Sequence, residues 1–85
     1  MRGYIALIDK QLNSDYGVVF PDFPGCVTAG TTFEDAREMA KEALALHLEG
    51  MEEIPEPSSF ETIMADPDNR DAIVMLVEVP LVLSV

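Results

Sequence analysis

Positive charge is scarce in this chain. Its 85 residues hold five Lys and Arg against sixteen Asp and Glu, for a formal net charge of −11. Phosphate contacts need Lys and Arg, and Arg2, Lys10, Arg37, Lys41 and Arg70 are all there are, so direct binding of DNA or RNA by this stretch is not expected. The natural partners of such a surface are basic or apolar. Cysteine is almost absent too: Cys26 is alone, so no disulfide can form within the chain, and a core or a partner must hold the fold. That favours a cytoplasmic protein. Long apolar runs are missing; the longest, residues 72–77, is cut off by Glu78 and Pro80, far below the roughly 20 residues of a membrane span. Residues 1–8 lack the apolar stretch and small-residue cleavage site of a signal peptide, and none is expected. Aromatics are few, which together with acidity can mean disorder, but 48% apolar residues is too many for a solvating chain. The length allows one domain with one core and excludes an enzyme built from separate cofactor and substrate domains.

What is present reads as alternating strands and helix. Residues 4–8 (YIALI) have strand length and no helical spacing; Asn13, Ser14 and Asp15 supply a turn; residues 16–20 (YGVVF) form a second strand, completing a hairpin. Residues 21–25 (PDFPG) make a rigid connection, since each proline fixes its own φ and Gly25 permits a positive one, leading into a short strand at 26–29. After Gly30 a helix starts, with Thr31 and Glu34, or Thr32 and Asp35, at capping-box spacing. Phe33, Ala36, Ala40, Ala43, Leu44, His47 and Met51 then recur at three- and four-residue steps as its apolar stripe, and Gly50 is the stop. Residues 51–59 are an acidic, proline-punctuated connection, and Ser58 or Ser59 caps a short second helix through Phe60, Ile63 and Met64. A turn at residues 66–69 precedes a last strand at 72–79, which Pro80 ends.

A right-handed crossover through the helix would set the last strand beside the first and parallel to it. The long helix covers one sheet face, yet both parities of the strands are apolar: Tyr4, Ala6 and Ile8 alternate with Ile5 and Leu7, and Ile73, Met75, Val77 and Val79 with Val74 and Leu76. At roughly 25 cal/mol per Å² an uncovered apolar face associates, so a protein-protein surface is expected there. The apolar tail, with Leu81, Val82 and Leu83, is the expected oligomer contact; it pairs with another chain, or the natural polypeptide continues past it.

Chemistry is thinly supplied. Cys26 and His47 are the only thiol and imidazole, but a strand start and a buried helix stripe make packing the better account than a nucleophilic pair. No set of residues is spaced for a zinc site. Asp9, Glu38 or Glu42, and Glu78 are the carboxylates one would nominate for a two-metal nuclease, although sixteen acids produce such placements by chance. No catalytic, cofactor-binding or metal-binding residue is therefore assigned. Asp22 is the more distinctive acid, set between Pro21 and Pro24 with Phe20 and Phe23 beside it. It either hydrogen-bonds its own turn or serves a basic partner as an anchor on a rigid loop, which loses little entropy on binding.

The stretch YGVVFPDFPGCVTAGTTFEDAREMAKEALALHLEGMEEIPEPS resembles the HicB-like antitoxin family: an aromatic-Gly before the strand, FPDFPGC, a T-x-E-D-A helix start, the A-x-E-A-L-x-L-x-L-E-G body and an I-P-x-P-S exit. The match covers about half the chain. It implies an α+β, partial ribonuclease H-like fold, β-β-β-α-(short α)-β, with one small mixed sheet and a long helix on one face. It also implies a type II antitoxin that binds and neutralises a small, basic, HicA-type mRNA-cleaving toxin and that forms homo-oligomers; Phe20, Asp22 and Phe23 are the candidate toxin contacts. The implied layout is a domain at residues 1–80 and the tail at 81–85. Family members often carry a C-terminal DNA-binding segment for their own promoter. No basic helical reader follows here, so operator binding is not assigned to these residues. The other readings are a stand-alone oligomeric regulatory scaffold and a metal-dependent nuclease.

Overall fold

The computed structural model describes residues 2–10 and 15–79. Three strands come first, β1 (Arg2–Lys10), β2 (Tyr16–Val19) and β3 (Val27–Gly30). Helix α1 (Phe33–Glu49), a short helix α2 (Phe60–Met64), a 3-10 turn (Pro67–Asn69) and strand β4 (Ile73–Val79) follow, in the expected order. Asn13, Ser14, Pro80 and the tail residues Leu81, Val82 and Leu83 lie outside the described residues.

The strands form one sheet in the order β3-β2-β1-β4, and every neighbouring pair is antiparallel. β4 does lie beside β1, but antiparallel to it, so the expected mixed sheet is corrected to an antiparallel one. The cause is the route taken after α1. The segment leaving α1 is tied to the start of β1, where Tyr4 Oη donates to the Pro55 carbonyl at 2.6 Å and the Arg2 guanidinium meets Glu56 at 3.2 Å. α2 then lies on the other side of the sheet, its Ile63 packed with Ile5 and Leu7. The chain therefore rounds the sheet at the start of β1 and travels along the opposite face. It enters β4 from the far end, with Ile73 opposite Ile8 and Val79 opposite Arg2.

Two cores result, one on each face. Tyr4, Ala6, Ile8, Val18 and Val77 pack beneath Ala36, Ala40 and Leu44 of α1; the two alanines bring the helix backbone close to the sheet. On the other face Ile5, Leu7 and Ile63 are buried, with Met64, Ala72 and Val74 packed around them. The face expected to be bare is thus covered by α2 over β1, while Val19, Val27 and Leu76 remain exposed on it. A crossing element of only five residues is too short to announce itself as a layer.

Of the two possible capping pairs, Thr32 and Asp35 form the real one. Thr32 Oγ1 accepts the Asp35 N–H at 3.0 Å, and the Asp35 carboxylate reaches back to the Thr31 N–H at 3.1 Å. Glu34 and Asp35 also suit the positive end of the helix dipole. Gly30 is set against this first turn so tightly that a Cβ there would fall 2.4 Å from the Ala36 nitrogen, and only glycine fits. Gly50 closes the helix, its N–H donating to the His47 carbonyl.

Candidate functional site

The distinctive local structure is the loop from Phe20 to Cys26. Phe23 N–H donates to the Phe20 carbonyl at 3.0 Å and Cys26 N–H to the Phe23 carbonyl at 2.9 Å, so FPDFPGC is two β-turns in series. Each proline occupies the second position of its turn, where its fixed φ is already correct. Gly25, at φ +90°, takes the third position of the second turn, which demands a positive φ. Phe20 N–H donates to the Cys26 carbonyl and closes the loop at its base.

The turn corners carry the aromatic rings, and both point inward. Phe20 and Phe23 are buried, Phe23 making edge contacts with Tyr4 at 4.8 Å and with His47 at 5.8 Å between centroids. Neither ring is on the surface, so as candidate contacts they are corrected to core residues; the loop presents Pro21, Pro24 and Gly25 instead. Asp22 is half-buried, and its carboxylate is taken up in a way neither expectation anticipated. One oxygen accepts the Ser58 N–H at 2.9 Å and the other accepts the Ser58 hydroxyl. Asp22 thus ties the loop to the segment that rounds the sheet. With Arg2–Glu56 and Tyr4–Pro55, this makes three side-chain ties on residues 55–58. Ser58 was legible only as a possible helix cap, because 36 residues separate it from Asp22; the actual cap of α2 is Ser59, which accepts the Thr62 N–H.

The remaining chemical candidates do not assemble. Cys26 is buried, and burial pushes its thiol pKa up, away from the thiolate a nucleophile needs. His47 rests half-buried against Phe23. Asp9 and Glu78 sit at opposite ends of β1 on the α2 side, whereas Glu38 and Glu42 are on α1 across the sheet, so the nominated carboxylates do not converge. Among the described residues no group of three His, Cys, Asp or Glu is arranged to hold a metal ion. Nor is any described helix long and apolar enough to cross a membrane.

Charge is the surface's dominant property. Glu34, Asp35, Glu38, Glu42 and Glu49 are all exposed along the outer side of α1, together with Leu46. Among the described residues the one ion pair is Arg2–Glu56, so none of these five acids is in a direct ion pair, although Arg37 and Lys41 are exposed on the same helix.

The described residues thus build a small α+β unit with an antiparallel sheet, a proline-framed loop and an acidic helix. The sequence profile of the HicB-like antitoxin of bacterial toxin-antitoxin systems matches residues 4–84, and the chain belongs to that family. An uncharacterized 14.9 kDa protein of Haemophilus phage HP1 is 41% identical over 76 residues, 85% of this chain and 57% of the phage protein. The N-terminal domain of the Burkholderia pseudomallei antitoxin HicB is similar in structure, with a TM-score of 0.84 and 32% identity over 93% of this chain and 99% of that one. A chain of the HicA3 and HicB3 toxin-antitoxin complex gives a TM-score of 0.74 and 30% identity, covering 93% of this chain and 99% of that one. The chain spans 57% of the phage protein and 65% of the chain in the structure of the Burkholderia antitoxin HicB.

Proposed function

We propose that this chain is the toxin-neutralising part of a type II antitoxin and that it binds a small, basic, HicA-type mRNA-cleaving toxin. The reading is carried by one observation: over 93% of its length the chain resembles a chain of the HicA3 and HicB3 toxin-antitoxin complex. Its charge supports the same reading. A protein that grips RNA is basic, and a net charge of −11 on this chain speeds the encounter of the two and helps to orient it. The carboxylates of α1 and the exposed Pro21, Pro24 and Gly25 of the rigid loop supply the contact, with Asp22 acting through the hold it keeps on Ser58. Binding of operator DNA belongs to a further segment where the natural chain has one, and the compartment is the cytoplasm. Calorimetry with the purified basic protein encoded beside its gene tests the proposal. A complex at or below micromolar dissociation constant, weakening as salt rises, is the expected result. No heat at those concentrations, with both proteins folded, overturns it.

A further inference from the structure

We propose that the half of the sheet left bare on the α2 side, over β2 and β3, receives an amphipathic helix of a basic partner. The proposal rests on the reading of this chain as a toxin binder, and it names the apolar site of that contact. The register fixes the surface. One row across the sheet runs Val27, Val19, Leu7, Val74, and all four side chains point to the α2 side. α2 and its Ile63 cover Leu7 and Val74, whereas Val19 and Val27 are left 43% and 62% exposed. The next row continues with Gly17 and the exposed Ala29, beside Asp9. Two registered valines with a glycine and an alanine make a flat apolar platform, and α2 stands as a step along one side of it. Two strands span about 10 Å, the diameter of one helix, so the platform takes a single helix lying beside α2.

The charges select the occupant. Arg37 and Lys41 are on α1, Lys10 lies over the Tyr16 ring on that same side of the sheet, and Arg2 is opposite Val79 of the α1 core. Away from α1 only Arg70 remains, while Asp9, Glu61, Asp66, Asp68, Asp71 and Glu78 are all exposed on the strands, on α2 and in the turn behind it. Apolar surface rimmed by one sign of charge fits a helix whose apolar stripe is flanked by Lys or Arg. The platform also adjoins the loop: Val19 and Val27 are the last residues paired before it, and the Phe20 N–H bond to the Cys26 carbonyl closes it directly above them. Exposed Pro21, Pro24 and Gly25 therefore extend the same surface. The carboxylates of α1 lie around the edge strand β3 from the platform. They act on the encounter at a distance, and the valines hold the complex once it has formed.

Surface plasmon resonance with the purified basic protein encoded beside its gene is the test, with circular dichroism to check that each variant is folded. Val19→Thr combined with Val27→Thr keeps charge and β-branching; it should weaken the complex about tenfold, chiefly by faster dissociation and with the salt dependence unchanged. Val27→Lys sets a like charge against the partner and should weaken it further. Leu76→Thr on β4 and Leu46→Gln on α1, at positions 60% and 63% exposed, should change binding by no more than about twofold. In the unsubstituted chain the methyl resonances of Val19 and Val27 should shift on titration with the same protein, which decides the matter even where a variant does not fold. A complex that ignores both valine changes, or leaves those methyl resonances in place, overturns the site while the toxin-binding reading stands. No complex with the unsubstituted chain overturns both.

Discussion

Asp22 illustrates what a single residue can and cannot disclose. Its setting between two prolines predicted a rigid loop, and two consecutive β-turns are what that spacing makes. Its partner, Ser58, was out of reach of local reasoning, since turn chemistry and periodicity act within a few residues and this tie spans 36. The same holds for Phe20 and Phe23: a turn corner looks exposed in sequence, but here the strand before it aims both rings into the core. The tie makes a prediction. Asp22→Ala removes an acceptor from the half-buried Ser58 N–H and hydroxyl and should cost about 1–3 kcal/mol in urea unfolding, with Ser58→Ala costing less. A double-mutant cycle should return a coupling of at least about 0.5 kcal/mol; additive effects would mean the two groups do not act together. Cys26 gives a second prediction, in pH. Its thiol pKa is raised in the fold from an ordinary value of 9.0, so the unfolded chain releases its proton first as pH rises. The contribution is full below that unfolded value and is lost as pH climbs through it toward the folded one. Between about pH 8 and 10 the wild-type urea midpoint should therefore fall more steeply than that of Cys26→Ala.

At the scale of elements, most of the order was readable and the layering was not. Capping spacing placed α1, Gly50 ended it, and short apolar, β-branched runs bounded by turn residues found all four strands. The apolar pattern on both parities of β1 was read as leaving one face bare for a partner, whereas α2 covers that face over β1 within the chain. α2 has five residues, too few to show a helical period, and without knowing that it crosses the sheet the direction of β4 could not be derived. The expected parallel pairing assumed that the chain returns over the face it left, whereas the return runs over the other. Ile63 is the residue that makes α2 a layer, so Ile63→Ala should destabilise the chain by about 2–4 kcal/mol. It should also raise the binding of a dye specific for exposed apolar surface, through Ile5 and Leu7. A loss below about 1 kcal/mol with no added dye binding would show that α2 contributes little cover.

For the whole molecule, sequence alone was sufficient for the charge and for the family, because both are sums or patterns over many residues and survive local misjudgement. The surface acids are unpaired among the described residues apart from Glu56, so the monomer carries its own electrostatic strain. At concentrations too low for self-association, the melting temperature should rise by several degrees between about 20 mM and about 500 mM NaCl, as screening relieves that repulsion. A melting temperature independent of salt would mean that the carboxylates are already compensated.

The ladder between β1 and β4 joins Arg2 to Val79, the two extremes of the described chain. Of the described elements β1 is made before the rest, apolar on both sides, and it waits for the other described elements before its neighbour β4 is available. The hairpin with β2 and the cover of α1 can form early; the second core, under α2, stays open until β4 zips against β1. A chain halted short of β4 would lack Val74 beside Ile5 and Leu7 and leave the outer edge of β1 without its neighbour.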